Sequence, residues 1–235
     1  MHQVSECLHV ASHALISNVW LFEDHTGRRY LIDTGHPLER LQITRQLHRH
    51  GISSAGDLAG ILLTHRHSDH AGNARYFRER FRCPVICHED DAPFLTGDVE
   101  PPKMAVPGRH WAAQLLCHIE DRWPARTDVD DTFGADGWGT SWKITHVPGH
   151  TEGSSMLFHT PTATLFSGDA ILAGIPPFRA FAYVRLAQEA FSQDAPRCHA
   201  GVKRFIETMP EIRALCSGHG PGVTNKVEDR IRRLF

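Results

Sequence analysis

Short apolar runs alternate with amphipathic stretches along most of the chain. Runs rich in aliphatic, aromatic and β-branched side chains predict strands over 14–22, 30–33, 61–64, 84–87, 142–147, 155–159, 164–167 and 212–217. Apolar positions at helical spacing predict helices over 38–47, 71–80 and 111–119, two more across 185–208, and a last one that contains 227–234. Strands that alternate with helices in this way are typical of an α/β protein, and we expect one domain over residues 1–235.

Residues 93–130 depart from this alternation. Five prolines fall in this segment, which otherwise contains only the short helical stretch at 111–119. Long irregular insertions in compact domains usually serve as lids or binding loops. We therefore expect a lid or substrate-binding insertion at about 93–130, with a solvated excursion as the alternative.

The composition is that of an ordinary globular protein and excludes several classes of partner. The 235 residues are 41% hydrophobic and 22% charged, and the net charge is −2, which argues against nucleic-acid binding. No apolar run approaches the length of a membrane span, and the N-terminal residues lack the basic start of a signal peptide. The six cysteines are scattered and form no disulfide framework. We expect a cytoplasmic protein with a small-molecule substrate and no membrane partner; the oligomeric state is not indicated.

The one unusual number is 18 histidines. Imidazole is the commonest metal ligand among side chains. His65 and His67, just after a predicted strand, are two apart, so in extended backbone their side chains point the same way. The next acidic and imidazole side chains, Asp69 and His70, open a predicted helix. Three further segments, each after a predicted strand and each with a glycine, carry a metal-competent side chain: Gly149-His150-Thr151, Ser167-Gly168-Asp169 and Ser217-Gly218-His219-Gly220.

In this order, H-x-H-x-D-H, G-H-T, S-G-D and S-G-H-G resemble the metallo-beta-lactamase superfamily, and Asp33-Thr34-Gly35 resembles its first motif. The resemblance covers most of the chain and implies a four-layer αββα sandwich with a metal site at one edge between the sheets. It implies that one metal is held by His65, His67 and His150. It implies that the other is held by Asp69, His70 and His219. Asp169 would bridge both ions together with a water or hydroxide, and Asp33 would support the site from behind its ligands.

Departures from particular branches of the superfamily narrow the resemblance. Familiar β-lactamases have a cysteine where this chain has Asp169 and lack a histidine at the place of His70. The set is therefore similar to the branch of glyoxalase II and the lactonases. The chain ends soon after His219, so we expect it to lack the C-terminal helical region with which glyoxalase II binds glutathione. Lactonases place a tyrosine shortly after the bridging aspartate, where this chain has Ala170.

The function implied by this resemblance is a dinuclear hydrolase in which a metal-bridging hydroxide attacks a thioester, ester or lactone carbonyl. The resemblance implies two zinc ions, with iron or a mixed pair left open by the ligand chemistry. We expect Asp69 to accept the proton and pass it to the leaving group. Substrate contacts are expected from the segment 171–184, through Phe178, Arg179 and Tyr183, with burial in the core as the alternative for the aromatic side chains.

Three other functions stay open. Persulfide dioxygenases resemble this branch but bind one iron through residues that match His65, His150 and Asp169. A phosphodiesterase is disfavoured by the net charge, and an idle binding protein is disfavoured by the complete ligand set. Of the other thirteen histidines, His36 and His146 are expected to lie nearest the metals.

Overall fold

The structure is a computed structural model that describes residues 2–5, 8–10, 16–104, 111–134, 137–174 and 183–235. Its strands are β1 (His2–Ser5), β2 (Leu8–Val10), β3 (Trp20–Glu23), β4 (Arg29–Ile32), β5 (Gly60–Leu62), β6 (Val85–His88), β7 (Asp131–Phe133), β8 (Trp142–His146), β9 (Ser155–His159), β10 (Thr164–Gly168), β11 (Ile171–Leu172), β12 (Arg185–Leu186) and β13 (Ala214–Ser217). Its α-helices are α1 (Arg40–Arg49), α2 (Ser68–Ala71), α3 (Ala74–Phe81), α4 (Ala92–Thr96), α5 (Trp111–Arg122), α6 (Ala195–Glu207) and α7 (Val227–Arg232). Single 3₁₀ turns lie at Pro37–Glu39 and Glu189–Phe191.

Two main sheets are built from these strands. The first has seven strands in chain order from β1 to β7; neighbours are antiparallel as far as β4 and parallel from there on. The second has the order β13-β10-β9-β8, with β10 and β13 parallel and the other pairs antiparallel. The two short strands β11 and β12 pair separately.

Alternation along the strands sends side chains to opposite faces of each sheet. In β4, Tyr30 and Ile32 belong to a core that also contains Phe166 and Cys216 of the second sheet, whereas Leu31 belongs to a different core. The first of these cores therefore fills the space between the two sheets, where Phe22 and Trp142 pack edge to face with ring centroids 5.5 Å apart.

Helices cover the two outer faces of this pair of sheets. The core that contains Leu31 also holds Ile43 of α1 and Phe77 of α3, and the core on the far side joins Leu165 of β10 to residues of α6 and α7. Three apolar layers thus separate helix, sheet, sheet and helix. The predicted four-layer αββα sandwich is confirmed.

Most of the predicted strands are confirmed, with ends that differ by at most two residues. The strand predicted over 14–22 begins at Trp20, and residues 14 and 15 lie outside the described part of the chain. The helix predicted at 71–80 is divided into α2 and α3, and the one at 38–47 begins as a 3₁₀ turn.

The prediction of two helices across 185–208 is wrong. That stretch contains β12, a 3₁₀ turn and only one α-helix, α6. The side chain of Asp194 accepts a hydrogen bond from the backbone N–H of Arg197, and Pro196 lies in the first turn. Both features favour a helix that starts at Ala195 rather than earlier.

The helices of the described ranges are all too short or too polar to cross a membrane.

Candidate metal centre

All seven predicted ligands come from the ends of strands that meet at one edge of the sandwich. His65 follows β5, His150 follows β8, Asp169 follows β10 and His219 follows β13. His67 lies at the N-terminal end of α2, which contains the remaining two, Asp69 and His70. In the second sheet β8, β10 and β13 run in the same direction, because β9 is antiparallel to both β8 and β10 while β13 is parallel to β10, so the carboxyl ends of these three strands lie at one edge.

The structure groups six of these side chains into two triads. The ligand atoms of His65, His67 and His150 all lie within 4.8 Å of one another, and the same holds for Asp69, His70 and His219. In the first triad, Nδ1 of His67 lies 3.0 Å from Nε2 of His150. Each triad offers three atoms around one point.

Asp169 lies between the two triads. Its Oδ1 is 3.3 Å from Nε2 of His70, and its Oδ2 is 3.2 Å from Nε2 of His219. The same Oδ2 is 3.6 Å from Nε2 of His150, which belongs to the other triad. One carboxylate therefore reaches ligand atoms of both groups, which is the arrangement a bridging ligand needs.

Hydrogen bonds to hydroxyl groups determine which ring nitrogen of two histidines faces the site. Thr64 donates its hydroxyl hydrogen to Asp33, so its oxygen must accept from Nδ1–H of His65, 3.0 Å away. Likewise Ser192 donates to the carbonyl of Gln188 and accepts from Nδ1–H of His150, also at 3.0 Å. In both rings Nε2 therefore carries the lone pair that faces the site.

Asp33 orients a third ring directly and joins the first and second triads. Its Oδ2 accepts from Nδ1 of His70 at 2.8 Å as well as from the hydroxyl of Thr64 at 2.8 Å. Its Oδ1 accepts from the backbone N–H of Thr64. Asp33 has a positive φ of 58°, a conformation more costly for a residue with a side chain than for glycine. Asp33 thus contacts one predicted ligand, His70, and the residue that orients another, Thr64.

The donor set fits metal ions. Nε2 of His65, Nε2 of His70 and Oδ1 of Asp169 are buried and have no hydrogen-bond partner among the described residues. Buried polar atoms almost always have a partner, and the ligand atoms of these three residues lie within 4.8 Å of one another, so cations are indicated as the missing partners. Five imidazoles and two carboxylates suit zinc or iron.

Burial keeps the imidazoles of the first triad neutral. It lowers the pKa of His65 and of His67 well below the ordinary value and that of His150 to about 4. Neutral imidazole is the form that binds a metal.

In the second triad, the carboxylates are ionised and attract positive charge. Burial alone would raise the pKa of Asp69 and of Asp169, but the neighbouring His70 and His219 outweigh it and hold both pKa values low. In return, Asp69, Asp169 and Asp33 raise the pKa of His70 against the effect of burial. This half of the site is therefore electrostatically suited to a cation.

Gly218 makes room for the two triads to meet. A Cβ at this position would lie 2.5 Å from Cε1 of His70 and closer still to Oδ1 of Asp169. Neither ring nor carboxylate can move away without leaving its partners, so the glycine of the S-G-H-G motif is required by close approach.

Sequence reasoning missed Asp91, which fastens the two histidine loops to each other. The fully buried carboxylate accepts from the backbone N–H of Arg66 at 3.0 Å and the hydroxyl of Thr151 at 2.8 Å, and from the backbone N–H of Gly153 at 2.9 Å. Burial raises the pKa of Asp91 to about 6, opposed by the guanidinium of Arg66. No motif marks this residue, because its partners come from distant loops.

The segment predicted as a lid contains α5, which contacts Ser68 between two ligands and the turn that precedes Ser192. Both carboxylate oxygens of Glu120 accept from the backbone N–H of Ser68 at 3.0 Å, and the hydroxyl of Ser68 donates to the same carboxylate. Sγ of Cys117 donates to the carbonyl of Ala190, two residues before Ser192. Burial raises the pKa of Glu120 to about 7.

Only one of the three predicted substrate residues lies in the described part of the chain. Phe178 and Arg179 are outside it. Tyr183 is 69% exposed, and its backbone N–H bonds to the carbonyl of Ala173, whose own N–H bonds to the carbonyl of His219. The side chain of Tyr183 therefore projects from a backbone directly beside the second triad.

The two other histidines expected near the metals lie outside both triads. Nδ1 of His36 accepts from the N–H of Leu38, and burial lowers the pKa of His36 although Asp69 raises it. The ring of His146 stacks on that of His88, with centroids 3.9 Å apart, and its Nε2 donates to a backbone carbonyl at 2.7 Å.

Comparison with known proteins relates this geometry to a family. The model of the metallo-beta-lactamase superfamily matches residues 14–222. The chain is 28% identical to the probable metallo-hydrolase YybB of Bacillus subtilis (strain 168) over 171 residues, which are 70% of this chain and 68% of that protein. It is 26% identical to the hydroxyacylglutathione hydrolase of Halorhodospira halophila (strain DSM 244 / SL1) over 214 residues, 90% of this chain and 65% of that enzyme. Among solved structures, it is similar to TTHA1623 in a di-iron-bound form, with a TM-score of 0.62, 26% identity, and coverage of 92% of this chain and 94% of that one.

Proposed function

The chain belongs to the metallo-beta-lactamase superfamily, and from that premise we propose that it is a dinuclear metal-dependent hydrolase of thioesters, esters or lactones. The observation that carries the proposal is Asp169, whose carboxylate lies within 3.6 Å of ring nitrogens from both triads. A carboxylate in that position can bridge two ions at the short separation that two-metal hydrolases use. The similarity to a hydroxyacylglutathione hydrolase supports the glyoxalase II-like branch.

The ligand assignment follows the two triads. We assign His65, His67 and His150 to one ion, and Asp69, His70 and His219 to the other, with Asp169 shared. Zinc ions held there would supply a hydroxide nucleophile at neutral pH and polarise the substrate carbonyl; iron or a mixed pair fits the same donors. The di-iron form of TTHA1623 supports keeping iron in the proposal.

The substrate reaches the site from the side of the second triad. The side chains of His70 and His150 are at most 2% exposed, whereas that of Asp69 is 24% exposed. Asp169 and His219 are each 11% exposed. Asp69 therefore stands at the mouth, where its carboxylate can accept a proton from the attacking water and return it to the leaving oxygen or sulfur.

The rim of the mouth favours a partly apolar acyl group. Tyr183 is exposed and lies on backbone that bonds, through Ala173, to His219, and it offers an aromatic surface there. The sequence-based expectation that Phe178 and Arg179 contact the substrate stays part of the proposal; the arginine would supply one positive charge for a polar end of the substrate. We assign the role of a lid to the segment 93–130, whose helix α5 bonds to Ser68 between the ligands His67 and Asp69 and to the turn that precedes Ser192.

A panel of substrates on metal-quantified protein tests this proposal. We expect hydrolysis of p-nitrophenyl esters, acyl thioesters or lactones, loss of activity on chelation, and recovery with Zn²⁺. His67→Ala should lose metal and activity together, whereas His48→Ala, an exposed histidine on α1, should change neither. One iron per chain with uptake of oxygen would replace the hydrolase by a persulfide dioxygenase-like oxidoreductase. Phosphodiester cleavage alone would replace it by a phosphodiesterase.

A further inference from the structure

A third group of metal-competent side chains lies at the end of the sandwich opposite the metal centre. Asp24 and His25 are in the turn between β3 and β4, and His159 is the last residue of β9. Their ligand atoms all lie within 4.8 Å of one another. His159 pairs with Thr164, the first residue of β10, whereas Asp169 directly follows Gly168, the last residue of the same strand. The rise along that strand separates the two sites by roughly 16 Å.

His159 presents an unpartnered lone pair to this group. The residue is fully buried, and its Nδ1 lies 2.9 Å from the hydroxyl oxygen of Thr162. Thr162 donates its hydroxyl hydrogen to Thr164, so it must accept from Nδ1–H of His159. Nε2 then carries the lone pair, and this atom is buried with no hydrogen-bond partner among the described residues. Thr64 and Ser192 orient His65 and His150 at the metal centre in the same way.

Asp24 supplies an ionised carboxylate on the other side. Oδ1 accepts from the backbone N–H and the hydroxyl of Thr26 and from the backbone N–H of Arg28. Burial raises the pKa of Asp24, but these hydrogen bonds outweigh burial and hold it below its ordinary value. A carboxylate oxygen of Asp24 and a ring nitrogen of His159 thus lie within 4.8 Å of each other, a separation at which one cation can bind both residues.

Arg28 is the competitor for this space. Its Nε lies 3.2 Å from Oδ2 of Asp24, and its side chain is 57% exposed. Only the arginine end of this ion pair is exposed, since the side chain of Asp24 is fully buried, so a cation that binds Oδ2 must displace the guanidinium from it. The side chain of His25 is exposed, so its ring can turn towards Asp24 and His159. The centroids of the His25 and His159 rings are 5.7 Å apart.

We propose that Asp24, His25 and His159 form a zinc site that is separate from the metal centre and ties the β3–β4 turn of the first sheet to β9 of the second. Two imidazoles and one carboxylate are a common protein ligand set for Zn²⁺, with water in the fourth position. The hydroxyl of Thr162 holds the far side of the His159 ring, as outer partners of zinc-bound histidines do.

Counting bound zinc tests the proposal. The full chain and its variants are dialysed to equilibrium against buffered Zn²⁺, and zinc per chain is measured by mass spectrometry. His25→Ala and His159→Gln should each bind one ion fewer than the wild type with unchanged hydrolytic activity, while His48→Ala binds the full number. Arg28→Gln should bind the extra ion more tightly than the wild type, since it removes the positive charge that competes for Oδ2 of Asp24.

Equal zinc content in the wild type and in His25→Ala would overturn the proposal and leave a water as the partner of His159. His25 is exposed, so this variant decides the question even if His159→Gln does not fold. The same one-ion difference should appear in a His67→Ala background, which separates failure of this site from failure of the proposed function. The rise in Tm with added Zn²⁺ should be smaller in His25→Ala, because a crosslink between sheets stabilises only the folded state.

Discussion

Thr64→Val isolates the effect of one hydroxyl on a metal site. This hydroxyl lies between Asp33 and His65, donating to the first at 2.8 Å and accepting from Nδ1–H of the second at 3.0 Å. Valine has nearly the same shape, and the backbone N–H of residue 64 still donates to Asp33. The variant therefore removes the acceptor that fixes the tautomer of His65 and leaves the surrounding packing in place.

The expected loss can be estimated from these contacts. A buried N–H without an acceptor costs about 1–3 kcal/mol. Since about 1.4 kcal/mol is a factor of ten in a binding constant, this corresponds to roughly 5- to 150-fold weaker metal binding. Removal of outer partners of metal-bound histidines typically costs about 10- to 100-fold, in the same range. We expect the affinity of the site that contains His65 to fall by about 10- to 100-fold.

Competition with a chromogenic chelator at neutral pH measures this affinity directly. Thr132→Val, on the exposed strand β7, is the matched control and should bind zinc as the wild type does. Folding of both variants is checked by circular dichroism. If folded Thr64→Val binds zinc within twofold of the wild type, the hydroxyl does not orient His65 and the reasoning from tautomers is wrong.

Three further changes test other parts of the structure. Gly218→Ala should remove metal from the second triad and abolish activity. Gly134→Ala should do neither, because a Cβ there would make only an ordinary contact, 3.9 Å from Oε1 of Glu89; metal content and rate measure both. Because burial raises the pKa of Asp91 to about 6, the folded state holds its proton more tightly than the unfolded state. The contribution of Asp91 to the free energy of unfolding is therefore full below about pH 4 and is lost as the pH rises to 6. Asp91→Asn should make the free energy of unfolding depend less on pH over this range, as measured by urea unfolding of the metal-free protein. Glu120→Ala removes the carboxylate that binds the N–H and hydroxyl of Ser68, so α5 loses its attachment to this ligand segment. If α5 is part of a lid over the substrate, KM should rise at least severalfold while metal content stays near that of the wild type. Equal KM values would show that α5 is no lid.

The strands of the two sheets are predictable because burial on both faces produces local apolar runs. The run at 155–159 coincides with β9, and that at 164–167 with most of β10. Strand β7 was missed because only Phe133 of its three residues is buried. The layer order was predicted through the resemblance, since periodicity cannot say which face of a strand meets which partner.

The ligands of the candidate site could be predicted because each follows a strand and belongs to a short motif. The residues that support them could not. Asp91 and Glu120 act through backbone N–H groups more than twenty residues away along the chain, so neither has a local pattern to mark it. Phe94 is a further example: it packs against the guanidinium of Arg66, 4.7 Å from the ring centroid, which helps to hold the loop between the first two histidines.

Three buried histidines of this protein share the same kind of hydrogen-bond partner at Nδ1, whether or not they belong to a recognisable sequence motif. His65, His150 and His159 each donate Nδ1–H to a hydroxyl that has already given its own hydrogen to another acceptor. That arrangement leaves Nε2 unprotonated whatever lies in front of it, which is the property a metal ligand needs. Two of these three rings belong to recognisable motifs and the third does not. The hydroxyl partner of Nδ1 therefore marks the proposed zinc site at His159, which sequence motifs alone do not indicate.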